Sequence, residues 1–156
     1  MGPGEPAHRL EDALRQMRFA VERERFALVG FRAPPLAADL APLARALPCQ
    51  AIREGGETTL LVPEAELAGI LARHPGAEAE RGLAWIRFES AMAWDLVGFL
   101  ALVTGRLAAA GVPLGAVCAF HRDHLFVAER HLERARAVLR ELFPEAPLPA
   151  GVEGPR

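Results

Sequence analysis

The sequence predicts an α+β protein in which a β-α-β-β-α unit occurs twice. In the stretch from Leu83 to Leu142, runs with an apolar residue at every second position alternate with runs whose apolar residues recur at i, i+3, i+4 and i+7. These two periods indicate half-buried strands and amphipathic helices. The stretch from Phe26 to Leu71 repeats the same order in a shorter form. With 156 residues, the chain can form two small units that share a core.

These patterns divide the chain into four segments. Residues 1–25 are predicted to form a tail and an amphipathic helix, residues 26–76 a degenerate first unit, residues 77–146 the second unit, and residues 147–156 a Pro- and Gly-rich tail. The apolar stripe of the N-terminal helix consists of Leu10, Leu14, Met17 and Val21. This stripe must pack on an apolar surface, which belongs either to the same chain or to a second subunit.

The first unit is predicted to begin with a strand over Phe26–Phe31, which two prolines end. Asp39 is placed to N-cap a short helix. Two strands, Cys49–Glu54 and Thr58–Val62, flank a Gly-Gly pair that is typical of a tight hairpin. Pro63 then opens a helix, because proline in the first helical turn loses no hydrogen bond.

The second unit is predicted to begin with the strand Leu83–Glu89. Asp95 is placed to N-cap a long helix, and Gly111 to end it. Two strand-like runs follow, Val112–Phe120 and Leu125–Ala128. The last helix ends before a proline, and its apolar stripe consists of Leu132, Ala135, Leu139 and Leu142.

The two units align at two different offsets. Phe26–Phe31 overlays Leu83–Phe88 at an offset of 57 residues, and Leu61–Leu67 overlays Phe126–Leu132 at an offset of 65. The difference of eight residues is close to two helical turns, which predicts a helix shorter by that length in the first unit. Function is therefore expected in the second unit or between the units.

Composition argues against several classes of partner. A net charge of −2 with 24% charged residues provides no basic surface for nucleic acid or for an anionic membrane. No apolar stretch approaches the roughly 18 residues of a membrane helix, and no secretory signal is expected. We therefore expect a soluble, cytoplasmic protein in which Cys49 and Cys118 are reduced. The chain contains no Lys, which excludes the usual triphosphate-binding loop.

The stretches Ser90–Leu100, Val103–Val112 and Ala119–Val127 resemble an ACT domain, and more narrowly the paired ACT-like proteins related to aspartokinase regulatory domains and to the cytosolic arginine sensors. The resemblance is weaker over Phe26–Leu71. It implies tandem ferredoxin-like βαββα units with antiparallel sheets and helices packed on one face. It also implies a non-enzymatic regulatory or sensor protein that binds a small amino acid between ACT-like units. A homodimer and a regulated enzyme are the protein partners that it suggests.

The resemblance also assigns a candidate ligand site. Its motifs match Asp95, Gly98 and Phe99 at the start of the long helix and Phe120 and Asp123 in a turn, and the candidate site also includes Leu96, Val97 and His121, which lie among them. The physical chemistry of these positions is compatible with this assignment, because the N-terminus of a helix offers unpaired N–H groups and a partial positive charge to a carboxylate. Asp123 is suited to pair with an ammonium or guanidinium group. His121, Arg122 and Ala128 depart from the pattern of the relatives.

Each of these residues also has a structural interpretation. Gly98 either relieves the packing of helix on sheet or lets a ligand approach the backbone. Asp95 is an ordinary N-cap, and Asp123 a common turn residue. Trp94 and Phe120 are more typical of a core than of a site. The alternative function is therefore a ligand-free oligomerisation or interaction module that docks on a partner enzyme.

An enzyme or a metal site is less well supported. Four side chains that can bind metals lie close in sequence, namely His121, Asp123, His124 and His131. However, structural zinc needs four convergent ligands, and neighbouring positions on a strand face opposite ways. Cys118 near these histidines has no evident orienting group for nucleophilic catalysis. No catalytic residue, metal or cofactor is therefore predicted.

Overall fold

The computed structural model of the protein describes residues 7–147. The helices are α1 (Leu10–Gln16), α2 (Ala37–Leu40), α3 (Leu67–Arg73), α4 (Phe99–Ala109) and α5 (Leu132–Leu142). The strands are β1 (Phe19–Phe31), β2 (Gln50–Glu54), β3 (Glu57–Pro63), β4 (Glu78–Phe88), β5 (Gly115–Cys118) and β6 (Asp123–Ala128). Short 3-10 turns extend α2 over Ala41–Ala44 and precede α3 and α5 over Glu64–Glu66 and Glu129–His131. The predicted α+β class, the N-terminal helix and the repeated β-α-β-β-α order are confirmed.

All six strands form one antiparallel sheet in the order β2-β3-β1-β4-β6-β5. The two central strands, β1 and β4, pair with each other. Each is the first strand of its own unit, and the two units are joined through this pair. The order is symmetric about this central pair, which is what an internal duplication requires. The units therefore share a continuous sheet, and the predicted boundary near residue 76 remains a prediction.

The N-terminal helix is shorter than its sequence pattern predicts. It ends at Gln16, and the predicted stripe residue Val21 lies in β1. Phe19 and Val21 pair with Phe88 and Ile86 of β4, and the Phe19 side chain is fully buried. These pairings bury apolar surface that a continued surface helix would leave partly exposed, so the strand is favoured over the helix.

The helices cover one face of the sheet. Alternate residues of β4 and β6 pack under α4 and α5, and alternate residues of β1 and β3 pack under α3. The opposite face carries a smaller cluster of Phe26, Leu61, Trp85 and Phe126, in which the Phe26 ring lies 5.1 Å from that of Phe126. Leu47 and Cys49, in the segment that leads into β2, pack against this cluster.

Asp39 does not N-cap α2 as predicted. Leu36 is the N-cap residue, and the Asp39 carboxylate accepts a hydrogen bond from the Leu36 N–H at 2.8 Å. Asp39 is also fully buried and bonded to Arg73 and His74 at the end of α3. This carboxylate therefore joins two helices of the first unit instead of merely starting one.

The remaining predictions concern element ends, cysteines and membranes. The predicted strand Val112–Phe120 is shorter, covering only Gly115–Cys118, and the strand predicted to begin at Leu83 begins earlier, since β4 covers Glu78–Phe88. Cys49 and Cys118 are not joined in a disulfide. Between residues 7 and 147, no helix has the length and apolar character needed to cross a membrane. The tail predicted over residues 147–156 lies, beyond Pro147, outside the described residues.

Candidate functional site

A cavity of about 240 Å³ lies between the loop that joins β4 to α4 and the turn that joins β5 to β6. Of the eight residues predicted for a ligand site, it is lined by Leu96, Gly98, Phe99, Phe120, His121 and Asp123. The fold thus brings together two segments that are about 25 residues apart in sequence. Asp95 and Val97 are not among the lining residues.

The N-terminus of α4 forms one wall of this cavity. Gly98 is the N-cap residue, and its carbonyl accepts the first helical hydrogen bond from Leu102 N–H at 2.9 Å. No side chain in the described part of the chain caps this end. The first N–H groups of a helix have no partner inside the helix and carry a partial positive charge, so this wall is suited to an anionic group.

Asp95 does not perform the capping predicted from the sequence. It lies three residues before the N-cap, in a turn closed by a 3.0 Å hydrogen bond from Leu96 N–H to the Ala93 carbonyl. Its exposed carboxylate faces His8 Nδ1 at 3.4 Å. The extra turn places the carboxylate outside the cavity and leaves the capping position to Gly98.

The sequence left open whether Gly98 serves packing or the approach of a ligand, and the structure shows why a glycine is needed at this position. Its φ of +100° lies in a region that residues with a side chain rarely adopt. A Cβ there would also lie 3.2 Å from Leu10 Cδ2 of α1. Both the backbone conformation and the packing of α1 therefore select glycine.

We expect Gly98→Ala to lower the free energy of unfolding by about 1 to 2 kcal/mol, because the new Cβ is strained and crowds α1. The matched control is Gly105→Ala within α4, where an added Cβ meets nothing within 4 Å. That change is expected to stabilise by roughly 0.5 to 1 kcal/mol, since alanine favours helix. Urea unfolding measures both effects, and equal effects of the two substitutions would contradict this assignment.

The β5–β6 turn is held against the β4–α4 loop by several hydrogen bonds. Met92 N–H donates to the His121 carbonyl at 2.8 Å, and Arg122 Nε donates to the Glu89 carbonyl at 3.2 Å. The Arg122 guanidinium is thus directed to a backbone oxygen. This connection places Asp123, the first residue of β6, opposite the start of α4.

Trp94 and Phe120 are exposed, although the sequence pattern favoured core positions for both. Their side chains are 77% and 72% exposed, and their rings lie nearly parallel at 19° with centroids 6.4 Å apart. Both line the cavity, and Val97 next to them is 83% exposed. We call these three residues the apolar rim. Exposed apolar groups clustered at a cavity are typical of a surface that binds another molecule.

The N-terminal segment docks on its own chain beside this cavity. Ala7 forms a parallel bridge with Met92, through Ala7 N–H to the Ala91 carbonyl at 3.1 Å and Ala93 N–H to the Ala7 carbonyl at 2.9 Å. Together with the contact between Leu10 and Gly98, this bridge supports the loop that lines the cavity. The question of where α1 docks, open from the sequence, is thereby answered for residues 7–16.

Sequence reasoning did not select several lining residues, among them Met92, Leu100, Ala101 and Cys118. Burial, followed by the hydrogen bond and charge of Asp123, raises the pKa of the Cys118 thiol. The thiol is therefore protonated at neutral pH and poorly suited to nucleophilic attack. Between residues 7 and 147, no three His, Cys, Asp or Glu side chains converge as metal ligands would.

The loop between strand and helix distinguishes the second unit from the first. It spans ten residues, 89–98, in the second unit and five, 32–36, in the first, while the helices that follow differ by only three residues, 99–109 against 37–44. The sequence alignment had assigned the whole eight-residue difference to the helix. Five of those residues instead form the loop that lines the cavity, which explains why the cavity is found in the second unit.

Comparisons with known proteins agree with this fold. The family model of the ACT domain matches residues 78–141. No curated protein matches the sequence. Similar solved structures include a protein from Agrobacterium tumefaciens (TM-score 0.65, 16% identity, covering 83% of this chain and 92% of that one). A possible transport protein from Vibrio cholerae of unknown function has a TM-score of 0.62 and 20% identity, covering 85% and 94%. The regulatory subunit of aspartate kinase from Thermus thermophilus has a TM-score of 0.57 and 11% identity, covering 80% and 96%.

Residues 78–141, from β4 to nearly the end of α5, match the family model of the ACT domain, in agreement with the resemblance seen in the sequence. The structural neighbours of the chain include an aspartate kinase regulatory subunit and a putative regulatory domain of aspartate kinase. Their low identities mean that this likeness shows the fold of the chain alone. The resemblance and the fold predicted from the sequence are confirmed.

Proposed function

We propose that the protein is a non-enzymatic, cytoplasmic sensor that binds a free amino acid in the cavity at the start of α4. The observation that supports this most directly is the pairing of an uncapped helix N-terminus with the Asp123 carboxylate across one cavity. An amino acid carries the two complementary charges. Its carboxylate would accept from the N–H groups at Phe99, Leu100 and Ala101, and its ammonium would pair with Asp123.

The cavity is also of suitable size. At about 240 Å³ it is smaller than the ~300 to 1,000 Å³ typical of sites for drug-sized ligands. A single amino acid is therefore a better match than a nucleotide or a larger cofactor. The lining is mostly apolar, with its few polar groups at the helix start and in the turn, which is the usual arrangement in a binding site.

We further propose that the ligand lies at an interface between ACT-like units of two copies. The apolar rim supports this, because Trp94, Val97 and Phe120 are exposed, and Trp94 and Phe120 line the cavity. A second copy that covered the rim would remove apolar surface from water and close the cavity. The homodimer would then report ligand binding to a regulated enzyme.

The first test is thermal unfolding in the presence of each of the twenty amino acids. A ligand at a hundred times its dissociation constant stabilises the folded state by about 2.7 kcal/mol, which is roughly 5 to 10 °C for a chain of this size. We expect one or two amino acids to raise Tm by this amount in the wild type and not in Asp123→Ala. Asp95→Ala is the matched control, because its carboxylate lies outside the cavity, and the shift is expected to persist in it.

A second candidate function is a ligand-free interaction module. The exposed apolar rim supports this function even if no ligand binds in the cavity. Absence of a shift with all twenty amino acids, together with a dimer that dissociates in Trp94→Ser, would support that function and contradict the sensor. A shift that survives Asp123→Ala would retain the sensor but place its site elsewhere. Sedimentation velocity with and without ligand measures the dimer directly.

A further inference from the structure

Arg53, in the first unit, holds two segments together with a single guanidinium nitrogen. Its Nη1, which carries two hydrogens, lies within hydrogen-bonding distance of the carbonyl oxygens of Arg32 (2.9 Å), Ala33 (3.0 Å) and Gly56 (3.2 Å) and of the Thr58 hydroxyl (2.9 Å), so its two N–H groups are shared among these four acceptors. Arg32 and Ala33 belong to the β1–α2 loop, whereas Gly56 and Thr58 belong to the β2–β3 hairpin. Thr58 is buried, and its hydroxyl donates to the Ala33 carbonyl at 2.7 Å. We call these four oxygens the Arg53 cradle.

The cradle lies where the second unit has its cavity. The offset of 65 residues equates Arg53 with Cys118, Gly56 with His121 and Thr58 with Asp123. The strand registers agree, since Arg53 pairs directly with Thr58 as Cys118 pairs with Asp123. Cys118, His121 and Asp123 all line the cavity. The short Cys118 side chain leaves open in the second unit the space that the long Arg53 side chain fills in the first.

The remaining part of the cradle has an equivalent too. The offset of 57 residues equates Arg32 with Glu89, whose carbonyl accepts from Arg122 Nε at 3.2 Å. An arginine therefore bridges the strand-to-helix loop and the hairpin in both units. In the first unit it comes from the β2 strand itself and occupies the site. In the second unit it comes from the turn and leaves a cavity beside it.

We propose that the first unit retains a second ligand site, selective for a guanidinium-type cation, that the chain occupies with its own Arg53. Within residues 7–147 these four acceptor oxygens have no positive partner other than Arg53, so they form a cation site, and the planar donors of a guanidinium group can reach two segments at once. The cradle of the first unit is therefore closed to a free ligand as long as Arg53 occupies it, whereas the equivalent space in the second unit is open. The proposal does not depend on which ligand the second unit binds.

The test is chemical rescue of Arg53→Ala. The substitution removes the side chain that fills the cradle, and ethylguanidinium supplies the missing atoms from solution. A ligand at ten times its dissociation constant raises Tm by roughly 3 to 6 °C in a chain of this size. We expect 50 mM ethylguanidinium to raise Tm of Arg53→Ala by that amount relative to its effect on the wild type. Ethylurea, which is similar in shape but neutral, is expected to have no such effect.

Arg45→Ala is the matched control, because Arg45 pairs only with the Glu66 carboxylate, at 2.6 Å, among the described residues. A rescue of Arg45→Ala equal to that of Arg53→Ala, or no rescue of Arg53→Ala, would overturn the proposal. Arg53 is exposed on an edge strand, so the variant is expected to fold. Arg53→Ser opens the same gap with a residue that edge strands tolerate, and the same rescue is expected in it.

Discussion

Asp39→Ala is expected to lower the free energy of unfolding at pH 7 by about 3 kcal/mol, because it removes the shared partner of a buried polar network. For a chain of this size the loss corresponds to a decrease in Tm of roughly 6 to 12 °C. Asp39 is fully buried and accepts hydrogen bonds from the Leu36 N–H (2.8 Å), Arg73 Nε (2.7 Å) and His74 Nε2 (2.8 Å). Without the carboxylate, all three donors lose their partner.

The network also holds together the first unit. His74 follows α3, and its ring stacks on Phe31 of β1 with centroids 3.8 Å apart. Because a carboxylate can only accept, His74 Nε2 carries the proton in this contact. Asp39 thus connects α2, the end of α3 and the sheet, so its loss affects the packing of three elements.

The control for this prediction is Asp95→Ala. Asp95 also faces a histidine, His8, but both side chains are exposed and the distance is 3.4 Å. Exposed pairs contribute between zero and about 1 kcal/mol, so this variant is expected to unfold near the wild-type temperature. Equal losses in Asp39→Ala and Asp95→Ala would show that burial of the network has no effect on stability.

The pH dependence supplies a second readout for Asp39. Burial by itself would raise the pKa of Asp39, but the hydrogen bonds from His74, the Leu36 N–H and Arg73, with the Arg73 charge, lower it below the ordinary 3.8. The pKa is thus lower in the folded than in the unfolded state. The contribution of Asp39 is present above pH 4 and is lost as pH falls through the folded pKa. The difference between wild type and Asp39→Ala should shrink in that acidic range.

The wild-type protein is expected to lose roughly 3 kcal/mol of stability between pH 6.5 and pH 4 through His124 alone. Burial, together with the charges of Arg87 and Arg122, lowers the pKa of His124 from 6.5 to about 4. Trp85 Nε1–H donates to His124 Nδ1 at 3.2 Å, and a proton on Nδ1 would abolish this bond. Below pH 6.5 the unfolded chain binds a proton that the folded chain does not. The free energy of unfolding therefore decreases as the pH is lowered, until His124 is protonated in both the folded and the unfolded states.

His124→Gln tests this prediction, because glutamine cannot take up the proton and can still accept a hydrogen bond. The variant is expected to be about 1 kcal/mol less stable than the wild type at pH 7, since the contact with Trp85 is less well formed. Its stability should change less with pH, so the two profiles should cross at roughly pH 5.5 to 6. Chemical denaturation at intervals between pH 4 and pH 7 measures both profiles.

The control is His8→Gln, since His8 is exposed and its one charged partner among residues 7–147 is the exposed Asp95 carboxylate. Its pH profile should parallel that of the wild type. Parallel profiles for the wild type and His124→Gln would contradict the low pKa of His124. The pH range in which Asp39 loses its stabilising effect lies below the range in which His124 does, so the two effects can be separated in one series of measurements.

The order and type of the elements could be predicted from the sequence because they depend on local periodicity. Alternation in β4 and β6 and the helical stripe of α5 reflect contacts to one continuous face. The hairpin of β2 and β3 was predictable from its Gly-Gly pair, and both glycines have positive φ in the structure. Only the resemblance to the ACT domain could predict that the turn containing Asp123 lies close to the start of α4.

Local patterns were insufficient where a distant contact decided the outcome. The run after Gln16 has helical spacing, but pairing of Phe19 with Phe88 makes it a strand. Asp95 has the chemistry of an N-cap, but the position belongs to Gly98, whose positive φ is accommodated against Leu10 of α1. Trp94 and Phe120 are residue types that are usually found in a core, but both are exposed beside the longer loop of the second unit.

By itself, the sequence determined the α+β class, the repeated β-α-β-β-α order and six of the fourteen residues that line the cavity, since these follow from periodicity, turn chemistry and family motifs. Only the tertiary structure decided that the two units share one sheet through β1 and β4, that Asp39 is buried between helices, and that the Arg53 guanidinium joins the β1–α2 loop to the β2–β3 hairpin. The physical reason is that strand pairing, burial and side-chain reach depend on residues far apart in the chain, whose proximity exists only after folding.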